Sequence, residues 1–461
     1  MSLSNGDTLH LLLTLSVLLA AAHAVGFLFV TLRQPRVAGE IVGGLLLGPT
    51  VLGWFSPSLA HQIVAGNAAT SAVLGAMYQL GQLLLMYCAG AALRSQRRRG
   101  EQRTISLIAL IGNVLPFAAG AVFLLVVKPA NLSGTAANAT SFLLVFSCGI
   151  AVTSIPVISR ILADLGLMRT SFARIVLSVA LIDDVILYVL LSVALGLVAP
   201  GHSDRFTLPG ILSIQSGTAL ADAYYVVVSI AIFGLPLALG RSFVERLGSL
   251  RLNVVGRSNA VAFQVVFMML VTSIALFLGI SPIFGAFIAG ILAGTLSSSA
   301  TEGAGTVSID AARAQATIQS FAFGFFIPVY FAVVGVRLDL IRHFDIAFFA
   351  IFLTYACLAK LISVYAGARF AGERPESAIN LAVALNARGG PAIVLASVAL
   401  DAHIIAESFY VDLVLLALVT SIMAGFWLDR ARRRGTLADE QQAPEPELAG
   451  ATSAPIRLAT G

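Results

Sequence analysis

Two adjacent carboxylates, Asp183 and Asp184, lie inside the long apolar run SVALIDDVILYVLLSVAL at residues 178–195. A charge near the centre of a bilayer costs at least about 2.5–3.5 kcal/mol, so two carboxylates there are seldom incidental. Neighbouring residues on a helix point about 100° apart, so one carboxylate can face a partner helix while the other faces a cavity. The alternative, a break that leaves both acids in a loop, is disfavoured by the unbroken apolar pattern on both sides. We predict that both residues bind ions or protons.

Lys360 is the candidate counter-charge for these acids. The chain has only two lysines, and Lys360 lies deep inside the apolar run FDIAFFAIFLTYACLAKLISVYAGARF. It is about 15 Å, by helix rise, from the end of that run, which is far for a side chain that snorkels to the interface. Because burial disfavours the charged forms of Lys and Asp, Lys360 is a candidate salt-bridge partner and proton carrier.

Composition sets the fold class. Of the 461 residues, 58% are hydrophobic and 11% are charged, whereas a soluble domain has about 25% charged residues. Apolar runs long enough to cross a bilayer recur almost from end to end. We therefore predict an all-α polytopic membrane protein in contact with lipid. Thirteen spans are expected, near residues 9–32, 37–55, 71–93, 105–127, 139–162, 173–198, 219–240, 258–279, 281–296, 316–336, 344–370, 378–400 and 408–428.

The basic residues indicate the orientation. Most of the 28 lie in alternate connections and in the tail, where RARRR occupies residues 430–434. Lys128, Arg205, Arg337 and Arg342 belong to the opposite side. Since Lys and Arg accumulate in cytoplasmic loops, we expect the N-terminus outside and the C-terminus in the cytoplasm of a plasma (cell inner) membrane. The net charge of +5 thus reflects topology, and no nucleic-acid partner is expected.

An internal repeat of about 240 residues is visible in two pairs of segments. PRVAGEIVGGLLLG (35–48) is similar to PIFGAFIAGILAG (282–294), and TSIPVISRILADLG (153–166) is similar to RGGPAIVLASVALD (388–401). A repeat of six spans on each side of one linker span reverses the second half, and inverted repeats are typical of secondary transporters. The predicted divisions are a transmembrane domain at 1–434 (repeat one 9–198, linker helix 219–240, repeat two 258–428) and a short disordered cytoplasmic tail at 435–461.

Glycine and proline interrupt corresponding spans of the two repeats, the fifth and the twelfth. The fifth contains Thr153, Ser154 and Pro156, and the twelfth contains Arg388 and Pro391. Because substrate sites in such proteins lie at broken helices, we predict unwound segments that form part of the site. An ordinary proline kink is the alternative at each place. Arg388 is expected to neutralise the ends of the broken helices or an acidic neighbour, and a purely structural ion pair is the alternative.

Glu40 is the remaining charged candidate. It lies in RVAGEIVGG near the cytoplasmic start of the second span, where it could draw cations to an access route or be a solvated interfacial acid. The three cysteines have no metal-ligand spacing, and the six histidines do not cluster. No cofactor is expected, and no metal beyond a transported Na⁺ or K⁺ at Asp184.

Taken together and in order, RQPRVAGEIVGGLLLGPTVLG, GAFIAGILAG, ALIDDVILYVLL, FFIPVYFAVVGVRLDL and NARGGPAIVLASVALDAHII resemble the monovalent cation:proton antiporter family 2. This sodium/proton exchanger group has a NapA/NhaA-like fold. The resemblance implies a scaffold of spans 1–3 and 7–10, a mobile core of spans 4–6 and 11–13, and a homodimer. It also implies ion binding at Asp183 and Asp184, a salt bridge from Lys360 to Asp183, and crossing helices at 148–166 and 385–402.

One departure from the family pattern concerns the first crossing helix. Some relatives carry Thr-Asp where this chain has Thr153 and Ser154. The missing carboxylate must be replaced by another arrangement of charges, which affects ion affinity and selectivity. Paired aspartates with a lysine nevertheless resemble the electrogenic members of the family.

We therefore predict a secondary active transporter that exchanges a monovalent cation, Na⁺ favoured over K⁺, for protons. A sodium-coupled organic-anion symporter on the same fold is the alternative. An intramembrane aspartyl protease would need aspartates on different helices, in Tyr-Asp and Gly-x-Gly-Asp contexts that do not occur here. An enzyme is therefore not expected.

Overall fold

The computed structural model describes residues 4–32, 34–59, 68–91, 101–129, 131–168, 170–198, 207–212, 259–298 and 306–437, together with isolated residues between 220 and 234. Within these residues the chain is almost entirely helical, and the β-structure is limited to an isolated bridge between Ser133 and Ile405. Of the predicted linker helix at 219–240 only those isolated residues are described, and most of the predicted tail at 435–461 lies outside the described residues.

The longer helices are numbered here in chain order. They are α1 (Asn5–Thr31), α2 (Arg36–Leu47), α3 (Ala68–Ala91), α4 (Gln102–Val127), α5 (Ala139–Ala151), α6 (Ile155–Asp164), α7 (Ser171–Val198), α8 (Ala260–Phe277), α9 (Pro282–Ser298), α10 (Thr306–Phe321), α11 (Ile327–Val336), α12 (Ile346–Ala371), α13 (Pro375–Ala384), α14 (Gly390–Asp401) and α15 (Glu407–Arg433). A π-helical turn, Ala322–Phe326, joins α10 to α11 without a break.

Nine helical segments of the described chain are long and apolar enough to cross a membrane. They coincide with nine of the predicted spans. The predicted ninth span is the 17-residue helix α9. The fifth and twelfth predicted spans are each divided into two shorter helices, α5 and α6 in one case and α13 and α14 in the other. The structure is therefore a helical polytopic membrane protein.

Both predicted interruptions are genuine breaks in the helix and not kinks. Residues 152–154 separate α5 from α6, and residues 385–389 separate α13 from α14. Pro156 and Pro391 are each the second residue of the helix that follows the break. A proline in the first turn of a helix fits well, because its missing N–H would have no partner there. The two prolines therefore start new helices.

The two breaks meet in space. The backbone N–H of Ser154, in the first break, donates to the carbonyl oxygen of Ala387, in the second, over 2.9 Å. Polar backbone inside a membrane is tolerated only where protein or a cavity surrounds it. The two breaks therefore satisfy part of each other's backbone hydrogen bonding. They also bring residues that are far apart in sequence close together.

The helices divide into two packing groups, which we call the scaffold and the core. Every pair of helices with extensive backbone contact lies within one group. The scaffold consists of α1, α2, α3, α8, α9, α10 and α11, and the core consists of α4, α5, α6, α7, α12, α13, α14 and α15. For the described helices this division agrees with the one that the family resemblance implies; the predicted seventh span is not among them.

Glycine allows the helices of one group to approach closely. A Cβ atom added to Gly90 of α3 would lie 2.1 Å from the carbonyl oxygen of Phe287 in α9, and one added to Gly290 of α9 would lie 2.1 Å from that of Tyr87 in α3. Small residues at such contacts are how membrane helices gain van der Waals packing, since lipid removes the hydrophobic driving force. The α3–α9 pair is therefore fixed at backbone contact.

This packing predicts opposite effects for two glycines of α3. Gly90→Ala should destabilise the protein by about 1–3 kcal/mol, because the added methyl group overpacks the contact. Gly75→Ala, where nothing lies within 4 Å of the added atom, should change stability by less than about 1 kcal/mol, in the stabilising direction. Thermal unfolding in detergent measures both. Equal melting temperatures for the two variants would contradict the close α3–α9 contact.

Candidate ion-binding site

Asp183 and Lys360 form a salt bridge inside the core. Lys360 Nζ lies 2.9 Å from Asp183 Oδ2, and both side chains have 0% exposure. Lys360 Nζ also donates to the carbonyl oxygens of Gly112 and Ala151, over 3.0 and 2.6 Å. An ammonium group has three hydrogens to donate, and each has an acceptor here. The structure therefore brings together the two side chains that the sequence paired.

Two further side chains donate to Asp183. Asn113 Nδ2 lies 2.5 Å from Asp183 Oδ1, and Thr153 Oγ1 lies 2.6 Å from Oδ2. Thr153 Oγ1 is also 2.7 Å from the carbonyl oxygen of Leu385, so its one hydrogen has two possible acceptors. Sequence reasoning predicted Thr153 but missed Asn113. The signal was available, since Asn113 is a lone amide in an apolar run, but an uncharged amide is a weak signal.

Asp184 is buried without a partner. It has 0% exposure, and neither carboxylate oxygen has a hydrogen-bond partner in the described part of the chain. Tyr188, one helical turn further along α7, packs against Phe284 and Phe287 of the scaffold at centroid distances of 5.9 and 4.7 Å. The two adjacent aspartates thus differ in direction, as expected for neighbours on a helix. Asp183 faces the core, and Asp184 lies one turn before the Tyr188 contact with the scaffold.

An ionised carboxylate cannot stay unpartnered in such a place. The free-energy cost of moving an ionised carboxylate out of water is very large unless the carboxylate is paired with a cation or hydrogen-bonded. The ionised form of Asp184 is therefore disfavoured where the carboxylate lies. Asp183, in contrast, already has a cation and two hydrogen-bond donors.

Arg388 neutralises helix ends. Its side chain is fully buried, and Nη2 donates to the carbonyl oxygens of Ile150 and Ala356 over 2.7 and 3.0 Å. Nη1 donates to Asn386 Oδ1 over 2.9 Å. Ile150 and Ala151 end α5, where the aligned peptide dipoles leave a partial negative charge. Arg388 and Lys360 thus hold the last two carbonyls of α5, which fits the first of the two roles predicted for Arg388.

Ser154 has a local backbone role. It is fully buried, and its Oγ accepts a long hydrogen bond, 3.4 Å, from the N–H of Val157 in the first turn of α6. Serine at the start of a helix commonly caps it in this way. Where some relatives of the resembled family carry a carboxylate, this chain has a neutral cap.

Glu40 lies elsewhere. It is 4% exposed, and its Oε1 is 3.1 Å from Arg36 Nε. Arg36 Nη2 in turn lies 2.5 Å from His23 Nδ1, so the group belongs to the α1–α2 contact of the scaffold. The interpretation of Glu40 as a solvated interfacial acid is wrong, because its carboxylate is buried and pairs with Arg36, one turn before it, whose own side chain is 42% exposed. The arrangement gives no support to a role in cation access either.

A sequence model of the family described as "Sodium/hydrogen exchanger, transmembrane" matches residues 14–431. The chain belongs to the sodium/hydrogen exchanger family. The members of the family exchange a monovalent cation for protons across a membrane. The described part of this exchanger contains no group of three or more His, Cys, Asp or Glu residues that could hold a resident metal ion.

Individual relatives agree with this assignment. The exchanger is 28% identical over 433 residues to the "Na(+)/H(+) antiporter NhaS4" of Synechocystis sp., covering 90% of this chain and 96% of that protein. It is 26% identical to the "Cation/H(+) antiporter 17" of Arabidopsis thaliana, of which it spans 47%. The solved structure of the sodium proton antiporter MjNhaP1 from Methanocaldococcus jannaschii matches with a TM-score of 0.63 and 14% identity, covering 94% of this chain and 99% of that one. That likeness shows the fold alone.

The buried salt bridge predicts a pattern of stabilities. Lys360→Met should destabilise the exchanger by about 3–5 kcal/mol, because it leaves the Asp183 carboxylate buried without its cation. Adding Asp183→Asn to Lys360→Met should restore part of that loss, since the double variant has no unpaired charge. Thermal unfolding of the four proteins in detergent gives the double-mutant cycle.

A matched control is the i,i+4 pair Arg433–Asp429, in which the arginine side chain is 63% exposed. Arg433→Gln should cost no more than about 1 kcal/mol. A loss as large as that of Lys360→Met, or no recovery in the double variant, would show that the Lys360–Asp183 pair does not stabilise the core as described.

Proposed function

We propose that this monovalent cation/proton antiporter carries its cation at Asp184, where the cation and a proton compete for one carboxylate. The observation that supports this is the complete burial of Asp184 without a partner in the described chain, next to an Asp183 that already has its partners. A proton and a monovalent cation each neutralise a single carboxylate. Loading one therefore expels the other, and this competition couples the two fluxes.

The Asp183–Lys360 pair is proposed to carry a second proton. A cation bound at Asp184 adds a positive charge close to Lys360, which favours release of the Lys360 proton. Thr153 supports such a change, because its hydroxyl can accept a hydrogen bond from a protonated Asp183 while it donates to Leu385. More than one proton would then move per cation, and the exchange would be electrogenic. We propose Na⁺ as the preferred cation over K⁺, with Thr153, Ser154 and backbone carbonyls at the breaks as supporting ligands.

The architecture is proposed to be that of an inverted-repeat transporter of thirteen membrane helices. Repeat one (9–198), a linker helix (219–240) and repeat two (258–428) would make up the transmembrane domain, followed by a short disordered tail. The matched breaks and the division into scaffold and core support this arrangement. Movement of the core against the scaffold would then carry Asp184 from one side to the other. We further propose a homodimer in the plasma membrane, with the N-terminus outside and the C-terminus in the cytoplasm.

The organic-anion symporter has no comparable support. The curated relatives described above are both named as cation/proton antiporters. A site with an unpartnered carboxylate also repels an anion. The two aspartates do not face each other either, as an aspartyl protease would require.

Exchange itself is tested in liposomes that contain the purified protein and a proton pump. Addition of Na⁺, K⁺ or Li⁺ should dequench a pH-sensitive dye for the wild type, and Asp184→Asn should abolish the response while it leaves the melting temperature nearly unchanged. Asp412→Asn is the matched control, because Asp412 of α15 is a third buried aspartate of the core, 2% exposed, and one of its carboxylate oxygens also has no hydrogen-bond partner in the described chain. That variant should still exchange. A response that survives in Asp184→Asn, or no response to any cation at any pH, would refute the proposal.

The stoichiometry has its own test. If two protons move for each cation, one net charge crosses per cycle, and a potential of 100 mV contributes about 2.3 kcal/mol. A Na⁺ concentration jump on a solid-supported membrane should therefore produce a sustained current. A robust dye response without any current would show electroneutral exchange and remove the proton-carrying role of Lys360, while the role of Asp184 would stand.

A further inference from the structure

Four buried hydroxyl groups lie at the contact between core and scaffold. They belong to Tyr188 of α7, Ser397 of α14, Tyr330 of α11 and Tyr78 of α3. Each residue is at most 3% exposed, and none of the four hydroxyl oxygens makes a hydrogen bond of good geometry in the described part of the chain, although Tyr78 and Tyr330 both lie within reach of Ser397. Buried polar groups of proteins are nearly always partnered, so four exceptions at one interface need an explanation.

These hydroxyls follow one another away from the ion site. Tyr188 is one helical turn beyond Asp184, and it lies close enough to both Asp184 and Tyr330 to interact electrostatically. The ring of Tyr330 is 5.1 Å from that of Tyr78, and both of these hydroxyls face Ser397. The series thus runs from the buried carboxylate towards the end of the bundle where α11 finishes.

An ion pair between the two groups lies at that end. Arg337 follows α11 of the scaffold, and its Nη1 is 2.9 Å from Oδ1 of Asp401, the last residue of α14 in the core. The guanidinium also lies over the ring of Tyr78, 4.6 Å from its centroid. The side chains of Arg337 and Asp401 are 38% and 44% exposed. The series of hydroxyls therefore ends in an ion pair that is accessible to solvent.

We propose that Tyr188, Tyr330, Tyr78 and Ser397 line the outer half of the cation path, and that the Arg337–Asp401 pair closes it in this conformation. This inference rests on the proposed function, because it takes Asp184 as the cation site. Neutral hydroxyl oxygens can replace the water around a monovalent cation without binding it as strongly as a carboxylate would. Tyr78, Tyr330 and Ser397 make only weak contacts with one another, and these contacts can be exchanged for contacts with a passing ion and its water.

Charge and position both suit Arg337 as a gate. Its guanidinium repels a cation that approaches from the outside, and it can leave the path only when its contact with the core is broken. The pair joins one residue of each packing group, so any shift between the groups breaks it. An exposed ion pair adds little stability, and it can therefore open in every cycle.

Accessibility of an introduced cysteine tests the path without measuring transport. In a background without Cys88, Cys148 and Cys357, Ser397→Cys would be treated from the outside of intact cells with a membrane-impermeant thiol reagent that has no net charge. We expect slow labelling, and labelling about fivefold faster when Asp401→Asn is added, as expected for the loss of a weak ion pair. Ser147→Cys is the matched control, since Ser147 is also a fully buried serine without a hydroxyl partner but lies on α5, away from the scaffold.

No labelling of Ser397→Cys with or without Asp401→Asn, or equally fast labelling of Ser147→Cys, would overturn the path. Neither result would touch the competition at Asp184, which the dye assay tests separately.

A second measurement removes a single oxygen atom from the path. Tyr330→Phe should raise the KM for cation offered at the outer side severalfold, with kcat nearly unchanged, because the ring still packs while the hydroxyl is lost. Tyr355→Phe is its control. That hydroxyl donates to the carbonyl oxygen of Ala119 within the core, over 2.7 Å, and its loss should leave the KM unchanged. An unchanged outer KM in Tyr330→Phe would overturn the role of the hydroxyls.

Discussion

The buried ammonium group of Lys360 fixes the geometry on which the site depends. It lies on α12 and donates to a carbonyl of α4, to the last carbonyl of α5 and to Asp183 of α7. The ammonium group is buried away from water and depends on these three acceptors. A shift of any one helix would therefore leave one of its hydrogens without a hydrogen-bond partner. Four helices of the core are therefore held in register by one side chain. The carboxylate of Asp184, the neighbour of Asp183, is placed by the same constraint.

Arg388 completes the balance of charges around the breaks. In the described core the two buried cations, Lys360 and Arg388, accompany the two adjacent carboxylates, and both cations hold carbonyls at the end of α5. A cation or proton on Asp184 then leaves the region with one excess positive charge. With Ser154 in place of a further carboxylate, nothing nearby offsets that excess. The neutral cap thus favours release of a positive charge on loading, which is what the proposed proton carrier supplies.

What the sequence could predict follows from the cost of burial. Asp183, Asp184 and Lys360 stand out because a charge in an apolar run must find a partner, and the breaks stand out because proline cannot continue a helix. Asn113 was missed because an uncharged amide is tolerated in many membrane helices. The prediction for Glu40 was wrong because Arg36, one helical turn earlier, pairs with its carboxylate in place of water. The hydroxyls at the interface carry no signal at all, since tyrosine and serine are ordinary in membrane helices and only the fold places them in a series.

The difference between the two kinds of contact indicates how the proposed movement of the core against the scaffold can occur. Within the scaffold, Gly90 and Gly290 bring helix backbones together, and one helix cannot slide past the other without a clash. Between scaffold and core the described contacts are made by side chains, such as the ring of Tyr188 on Phe284 and Phe287. An aromatic pair contributes only about 0.5–1.5 kcal/mol beyond the area that it buries, so the exchange of one such contact for another costs little. The free-energy cost of relative movement is therefore lowest at this interface. Asp184 lies one helical turn from it, so the proposed shift of the core would change the groups around its carboxylate.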